Sequence, residues 1–187
     1  MRANVSSVPL ASSLLALAIV SAATVGCGGP DAKGPASATS GAAASDSGVR
    51  QGDTAPTFTI DSINGAGKIA LGPGKVVVVD FWATWCGPCK KSMPKLQELY
   101  VKHKGSGLEI VAISVDDDAT GVADFARTHG AKFPVGWDEG KKIADRWKPD
   151  NMPSTYIIGR DGVVKHVHRG YHDGEENEIE KEIKALL

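Results

Sequence analysis

Cysteine is scarce: the 187 residues contain three, Cys27, Cys86 and Cys89. A zinc site usually takes four ligands, typically with a second Cys pair or a Cys/His pair at regular spacing, and only the distant Cys27 is left to join the other two. Charge of one sign is also lacking. Lys and Arg number 21 against 22 Asp and Glu, a formal net charge of −1, which gives no case for nucleic-acid binding. The apolar heart near the N-terminus, Leu14-Leu15-Ala16-Leu17-Ala18-Ile19-Val20, falls short of the about 20 residues a membrane span needs. No internal repeat is visible. These absences leave one ordinary soluble domain with an appendage, and its core-forming part is long enough to fold without staples.

What is there is Trp85-Cys86-Gly87-Pro88-Cys89-Lys90. It follows an apolar run, Val76–Trp82, that reads as a buried strand, and it opens residues 90–102, which read as a helix. A Cys-x-x-Cys at a strand–helix junction is a redox device. Residues three apart at a helix start share a face, so the two sulfurs can close a disulfide. Cys86 is placed where backbone N–H groups point outward and the helix dipole is positive, which favours the nucleophilic thiolate. Pro88 costs nothing in a first turn, where its missing N–H would be unpaired anyway. A purely structural bridge across so short a loop would constrain the unfolded chain little.

The stretch Asp80-Phe81-Trp82-Ala83-Thr84-Trp85-Cys86-Gly87-Pro88-Cys89-Lys90 closely resembles the active site of thioredoxins, and residues 51–187 resemble the membrane-tethered TlpA/ResA branch of that superfamily. The resemblance implies an α/β thioredoxin fold: a central mixed β-sheet flanked by helices, here with an N-terminal β-hairpin extension. Cys86 is the expected nucleophile, at an exposed strand–helix corner, and Cys89 the resolving thiol, pointing toward the core. Asp80 lies six residues before Cys86 in an otherwise apolar run, where a charge is expensive unless it has a use or a partner. Thioredoxins carry a buried Asp at the matching position as proton acceptor for the second cysteine, and burial raises a carboxyl pKa toward the working pH. Asn is common there in TlpA-like proteins, so Asp80 leans toward thioredoxin itself. Met152-Pro153-Ser154-Thr155 resembles the cis-proline loop that lies against the cysteines and pairs with bound peptide as an added strand. Trp85, Gly87, Pro88, Met152 and Pro153 are the expected substrate contacts, and Trp82 is either a site residue or plain core. Lys90 and Lys91 read first as a solvated helix face.

The N-terminus reads as an export segment. Residues 1–26 form a signal peptide with Arg2 as the only charge before the apolar heart. Thr24-Val25-Gly26-Cys27 resembles a bacterial lipoprotein cleavage box, with Thr24 where that family usually has Leu. Lipidation of Cys27 explains the third cysteine; ordinary cleavage and an uncleaved anchor are the alternatives. Residues 27–50 are dominated by Gly, Ala, Ser and Pro and form the expected flexible tether, and residues 51–187 the thioredoxin-like domain.

Within that domain, Gly52-Asp53-Thr54-Ala55-Pro56-Thr57-Phe58-Thr59-Ile60 resembles the opening segment of TlpA-like and peroxiredoxin-like proteins. Phe58, Ile60 and Ile63 alternate as a strand, Asn64-Gly65 signals a hairpin, and Ile69-Ala70-Leu71 returns. Pro94 is expected to kink the helix after the motif. A second buried strand runs over residues 108–115 and is broken by Asp116-Asp117-Asp118. A helix follows over 119–129, a short strand at Phe133-Pro134-Val135 and a short helix over 141–147. Residues 154–158 and 163–167 form a hairpin, and an amphipathic helix closes the chain from Glu175. Strands alternating with helices, then a hairpin, argue an α/β sheet sandwich.

The sequence therefore reads as an exported, lipid-anchored thiol–disulfide oxidoreductase, on the periplasmic side of a bacterial membrane. The resemblance implies reduction of protein disulfides, with apocytochrome c among the substrates and a membrane thiol carrier resupplying electrons. A monomer is expected, with no cofactor beyond the Cys86/Cys89 dithiol and no resident metal. Two alternatives come from other classes. A thiol peroxidase is suggested by the Ala-Pro-x-Phe opening, but peroxidases of that kind use Pro-x-x-x-Thr-x-x-Cys, and here Val79 and Ala83 stand at the Pro and Thr positions. A copper chaperone would use Cys86, Cys89 and one of His166, His168 or His172.

Overall fold

The computed structural model describes residues 47–187; the expected signal segment, most of the tether and Cys27 lie outside the described residues. Two short strands, β1 (Thr59–Asp61) and β2 (Lys68–Ala70), pair as the antiparallel hairpin expected around Asn64-Gly65. The main sheet has five strands in the order β5-β4-β3-β6-β7. Its centre is β3 (Val76–Trp82), buried at every position, as a run of four valines dictates for a strand covered on both faces. Parallel to it run β4 (Leu108–Ser114) and, beyond, β5 (Val135–Trp137). On the other side β6 (Ser154–Ile158) pairs antiparallel with β3, and β7 (Val164–Arg169) with β6. The mixed sheet and the hairpin extension are the fold expected from the resemblance. The β3–β6 register sets Thr155 opposite Asp80 and Ser154 opposite Phe81, so the end of β6 is drawn to the end of β3 that leads into the cysteines.

Among the described residues four α-helices surround the sheet: α1 (Cys89–His103), α2 (Val122–Thr128), α3 (Ala144–Trp147) and α4 (Glu175–Leu186). Trp82 meets Phe125 of α2 at 4.9 Å between ring centroids, and its neighbour Phe81 meets Trp147 of α3 at 5.6 Å. Successive strand residues face opposite ways, so α2 and α3 lie over opposite faces of β3. α1 runs as one helix through Pro94, burying Met93, Leu96 and Leu99. α4 buries Ile179 and Ile183 and is tied to its neighbours by histidine–carboxylate contacts: His103 of α1 to Glu180 at 2.9 Å, and His168 of β7 to Glu175 and Glu182 at 3.1 and 2.7 Å.

Three elements differ from expectation. The strand expected at Phe133-Pro134-Val135 lies two residues later. Pro134 has no N–H to give a ladder; its carbonyl instead accepts from Ala112, while Phe133 turns fully into the core. The helix expected from residue 119 starts at Val122, because Gly121 takes φ 79° and sets the chain in a left-handed turn just before it. The helix expected from residue 141 starts at Ala144, because Lys141 has φ 57° and ends a short 3-10 turn, Glu139–Lys141.

The hairpin is seated on the free edge of β5. Asn64 donates from Nδ2 to the Phe133 carbonyl at 2.8 Å and accepts from the Val135 N–H at 3.2 Å, and Ser62 bridges Gly136. An otherwise open strand edge is thereby covered. At the other end Val49 is buried, and its N–H donates to the Trp147 carbonyl at 2.9 Å.

Candidate active site

The chain leaves β3 at Trp82, turns through Ala83-Thr84-Trp85, and enters α1 at Cys89. The Cys86 N–H donates to the Ala83 carbonyl at 3.1 Å, closing the turn, and Pro88 stands at the N-cap of α1 with helical angles. This geometry puts the two cysteines one turn apart at a helix start. They are joined as a disulfide with Cα atoms 5.3 Å apart. The first helical amide, the N–H of Cys89, points at Cys86 Sγ from 3.2 Å. That donor, together with the positive end of the helix dipole, stabilises negative charge on Cys86 once the bond is opened.

Cys86 departs from the expectation of an exposed corner: it is only 4% exposed, against 0% for Cys89. The order of access holds, but the first sulfur is tucked in, because it is bonded to a partner wholly inside the core. What stands in solvent beside it is Trp85, 70% exposed, with Gly87 and Pro88.

Asp80 is buried on β3 at 1% exposure. Its Oδ1 accepts a hydrogen bond from the Thr155 hydroxyl at 2.7 Å, while Oδ2 has no partner. Burial pushes its pKa from 3.8 to about 7, and the Thr155 hydrogen bond opposes the rise only in part. A carboxyl that titrates near neutrality can take a proton from a thiol and give it back.

The Met152–Pro153 peptide bond is cis, as the resemblance implied. Pro153 is buried, and Met152 lies half-buried on one side of a groove of about 640 Å³. Trp85 and Val115 also line it, as do Ala144, Lys148 and Pro149, with Lys141 and Asp145 completing the rim. The groove thus brings together Trp85, the chain neighbour of Cys86, and Met152, two of the expected substrate contacts.

Other candidates fall outside the site. Trp82 is fully buried and is plain core. Lys90 is exposed, and Lys91 pairs with Asp173 at 3.2 Å in a solvated contact. His168 has both ring nitrogens against carboxylates, and His166 Nδ1 faces Glu182 at 2.9 Å. Among the described residues no group of three or more His, Cys, Asp or Glu is arranged to hold a metal ion. Asp116 and Asp138, both buried, were not legible as site residues in the sequence, where Asp116 reads only as a strand breaker. Their one signal is an acidic residue just past a strand's carboxyl end, too common to single out.

The redoxin family model matches residues 50–183. The chain belongs to the redoxin family. Within it, the chain groups with thiol–disulfide oxidoreductases. It is 41% identical over 115 residues to the thiol-disulfide oxidoreductase ResA of Bacillus anthracis, a match covering 60% of this chain and 66% of that one. With the ResA of Bacillus thuringiensis subsp. konkukian it shares 37% identity over 137 residues, 72% of this chain and 78% of that one. Among solved structures it is similar to a putative thiol:disulfide interchange protein DsbE from Chlorobium tepidum, at 31% identity and a TM-score of 0.69, covering 74% of this chain and 98% of the other. The chain thus spans about two thirds of the length of the first such relatives, short of it by a small margin.

Proposed function

We propose that this redoxin reduces protein disulfides outside the cytoplasm through Cys86 and Cys89. The single observation that carries the reading is the Cys86–Cys89 pair closed across the start of α1, with the Cys89 N–H aimed at Cys86 Sγ. In the reduced protein the Cys86 thiolate attacks a substrate disulfide. A Cys86–substrate disulfide forms and one substrate thiolate leaves. Cys89, losing its proton to Asp80, then attacks Cys86 Sγ, and the second substrate thiolate leaves and takes up a proton. Two electrons have passed to the substrate, and the Cys86–Cys89 disulfide is regenerated. A dithiol donor must open it again for the next turn, and a membrane thiol carrier fits that need. The protein's own dithiol serves as the redox group, with no further cofactor.

The names of the relatives support thiol–disulfide exchange; the resemblance to the TlpA/ResA branch and the Gly87-Pro88 pair between the cysteines support the reducing direction. The same resemblance supports apocytochrome c as a substrate class and work on the periplasmic side of a bacterial membrane, and the cleavage-box pattern Thr24-Val25-Gly26-Cys27 supports Cys27 as the lipid-bearing residue. Among the described residues no helix is long and apolar enough to cross a membrane. The deciding experiment is the reduction potential of Cys86/Cys89 against a glutathione or dithiothreitol buffer. The expected value lies near thioredoxin's, about −270 mV. A value near that of DsbA, about −120 mV, would make the protein an oxidant and overturn the proposed direction.

A further inference from the structure

Two buried carboxylates outside the redox pair each hold a backbone segment at the groove lined by Trp85 and Met152. Asp116, two residues past the end of β4, lies against the loop that carries Trp85. Both its carboxylate oxygens face the Thr84 N–H, at 3.2 and 3.0 Å. Oδ1 also accepts from the Thr84 hydroxyl, and Oδ2 from the Ser114 hydroxyl, each at 2.7 Å. Thr84 is thus held at both its backbone and its side chain, one residue before Trp85 and two before Cys86. Asp138, just after β5, does the same for a second part of the lining. Its carboxylate accepts the Ile143 N–H at 3.0 and 2.9 Å and the Ala144 N–H at 2.8 Å, while its carbonyl accepts from Lys141 at 2.8 Å. Ala144 and Lys141 line the groove, and these orphan amides at the start of α3 have no helical partner of their own.

The two supports share one root. Ser114, the last residue of β4, gives its hydroxyl to Asp116, and its carbonyl accepts the Asp138 N–H at 2.9 Å. Trp137 adds a further tie, its indole N–H donating to the Asp116 carbonyl at 2.9 Å. Buried carboxylates accepting several hydrogen bonds are costly to leave half-satisfied, so each holds its loop in one geometry.

We infer that Asp116 and Asp138 are positioning residues that build the substrate groove, setting the spacing between the Trp85 wall and the Ala144 wall into which a peptide flanking the target disulfide is laid. Trp85, Val115, Ala144, Pro149 and Met152 give the groove an apolar lining. It therefore takes an extended segment with an apolar side chain next to its cysteine, and rim contacts at Lys141, Asp145 and Lys148 are secondary. A disulfide too small to reach the walls gains nothing from them. This inference rests on the reading of the protein as a protein-disulfide reductase.

The test separates the two. The reduced full-length protein is mixed with insulin or with 2-hydroxyethyl disulfide, and kcat/KM is measured for each, for wild type, Asp116→Ala, Asp138→Ala and the corresponding Asn variants. Reduction of neither compound by the wild type would sink the underlying reading. If the wild type is active, the expected result is that each Ala variant lowers the insulin-to-small-disulfide ratio about tenfold, mainly through KM, and that the Asn variants, which keep one acceptor oxygen, recover part of it. Equal losses on both compounds, or an unchanged ratio, would overturn the inference. Should an Ala variant fail to fold, the ratio in the Asn variant and in Ser114→Ala decides in the same way.

Discussion

Asp80 carries opposing demands at a single residue. Its pKa is raised from 3.8 to about 7 by burial, so the folded state holds the proton more tightly than the unfolded one. The stability this proton linkage contributes is fully present below pH 3.8 and is lost as pH rises through about 7. A shift of that size is on the order of 4 kcal/mol. Asp80→Asn cannot titrate, so its melting temperature should gain on that of wild type between pH 4 and pH 8, on the order of 10 °C. Parallel melting curves for the two proteins across that range would remove the linkage. The same substitution should slow resolution of the mixed disulfide near neutral pH and restore it at higher pH, where Cys89 ionises unaided. Equal rates across pH would take Asp80 out of the mechanism. The partner residue yields the third expectation. In Cys89→Ser the first attack survives and the second fails, so substrate should stay joined to Cys86 in adducts sensitive to dithiothreitol. Cys86→Ser should trap far less, because Cys89 is wholly buried. Equal trapping by both would mean the two roles are reversed or shared.

At the level of elements, the seat of the β1–β2 hairpin is decided by a missing side chain. Gly136 of β5 has no Cβ, and an added one would stand 2.7 to 3.0 Å from three side-chain atoms of Ile60. Ile60 is β-branched and buried, so it has little room to give. Gly136→Ala should therefore cost about 1–3 kcal/mol by overpacking, read from urea unfolding, and should loosen the hairpin from the edge of β5. The cysteines follow β3, which β4 separates from β5 in the sheet, so the reduction potential should move little. An unchanged unfolding midpoint would show that the hairpin can shift without loss. Asn64 was legible as a turn residue, but its two hydrogen bonds to Phe133 and Val135 were not, since they join residues about 70 apart in sequence.

For the whole molecule, the arrangement proposed is a soluble redox domain held near a membrane. Val49 is fixed to Trp147, next to the Lys148 and Pro149 wall of the groove, so the chain enters the domain on the groove side. If Cys27 carries lipid, Cys27→Ser should move the protein from the membrane fraction to the soluble one while leaving insulin reduction in solution intact. An unchanged membrane fraction would point to an uncleaved anchor instead.

The sequence by itself determined the parts whose physics is local. Four valines before Asp80-Phe81-Trp82 read as a strand buried on both faces, and Cys-Gly-Pro-Cys at its exit sets two sulfurs one helical turn apart. Asn64-Gly65 turned the hairpin, and the likeness to the thioredoxins supplied the cis bond before Pro153. Tertiary structure decided what depends on partners far away in the chain. The Cys86 sulfur is buried because Cys89 draws it inward; β5 begins at Val135 because Pro134 can offer β4 only a carbonyl. The pKa of Asp80 reflects the strands packed around it and the hydroxyl of Thr155, 75 residues away. Asp116 and Asp138 became visible only when the ends of β4 and β5 were set side by side. Hydrogen bonds between loops leave no period in a sequence, whereas burial of a strand and the turn of a helix do.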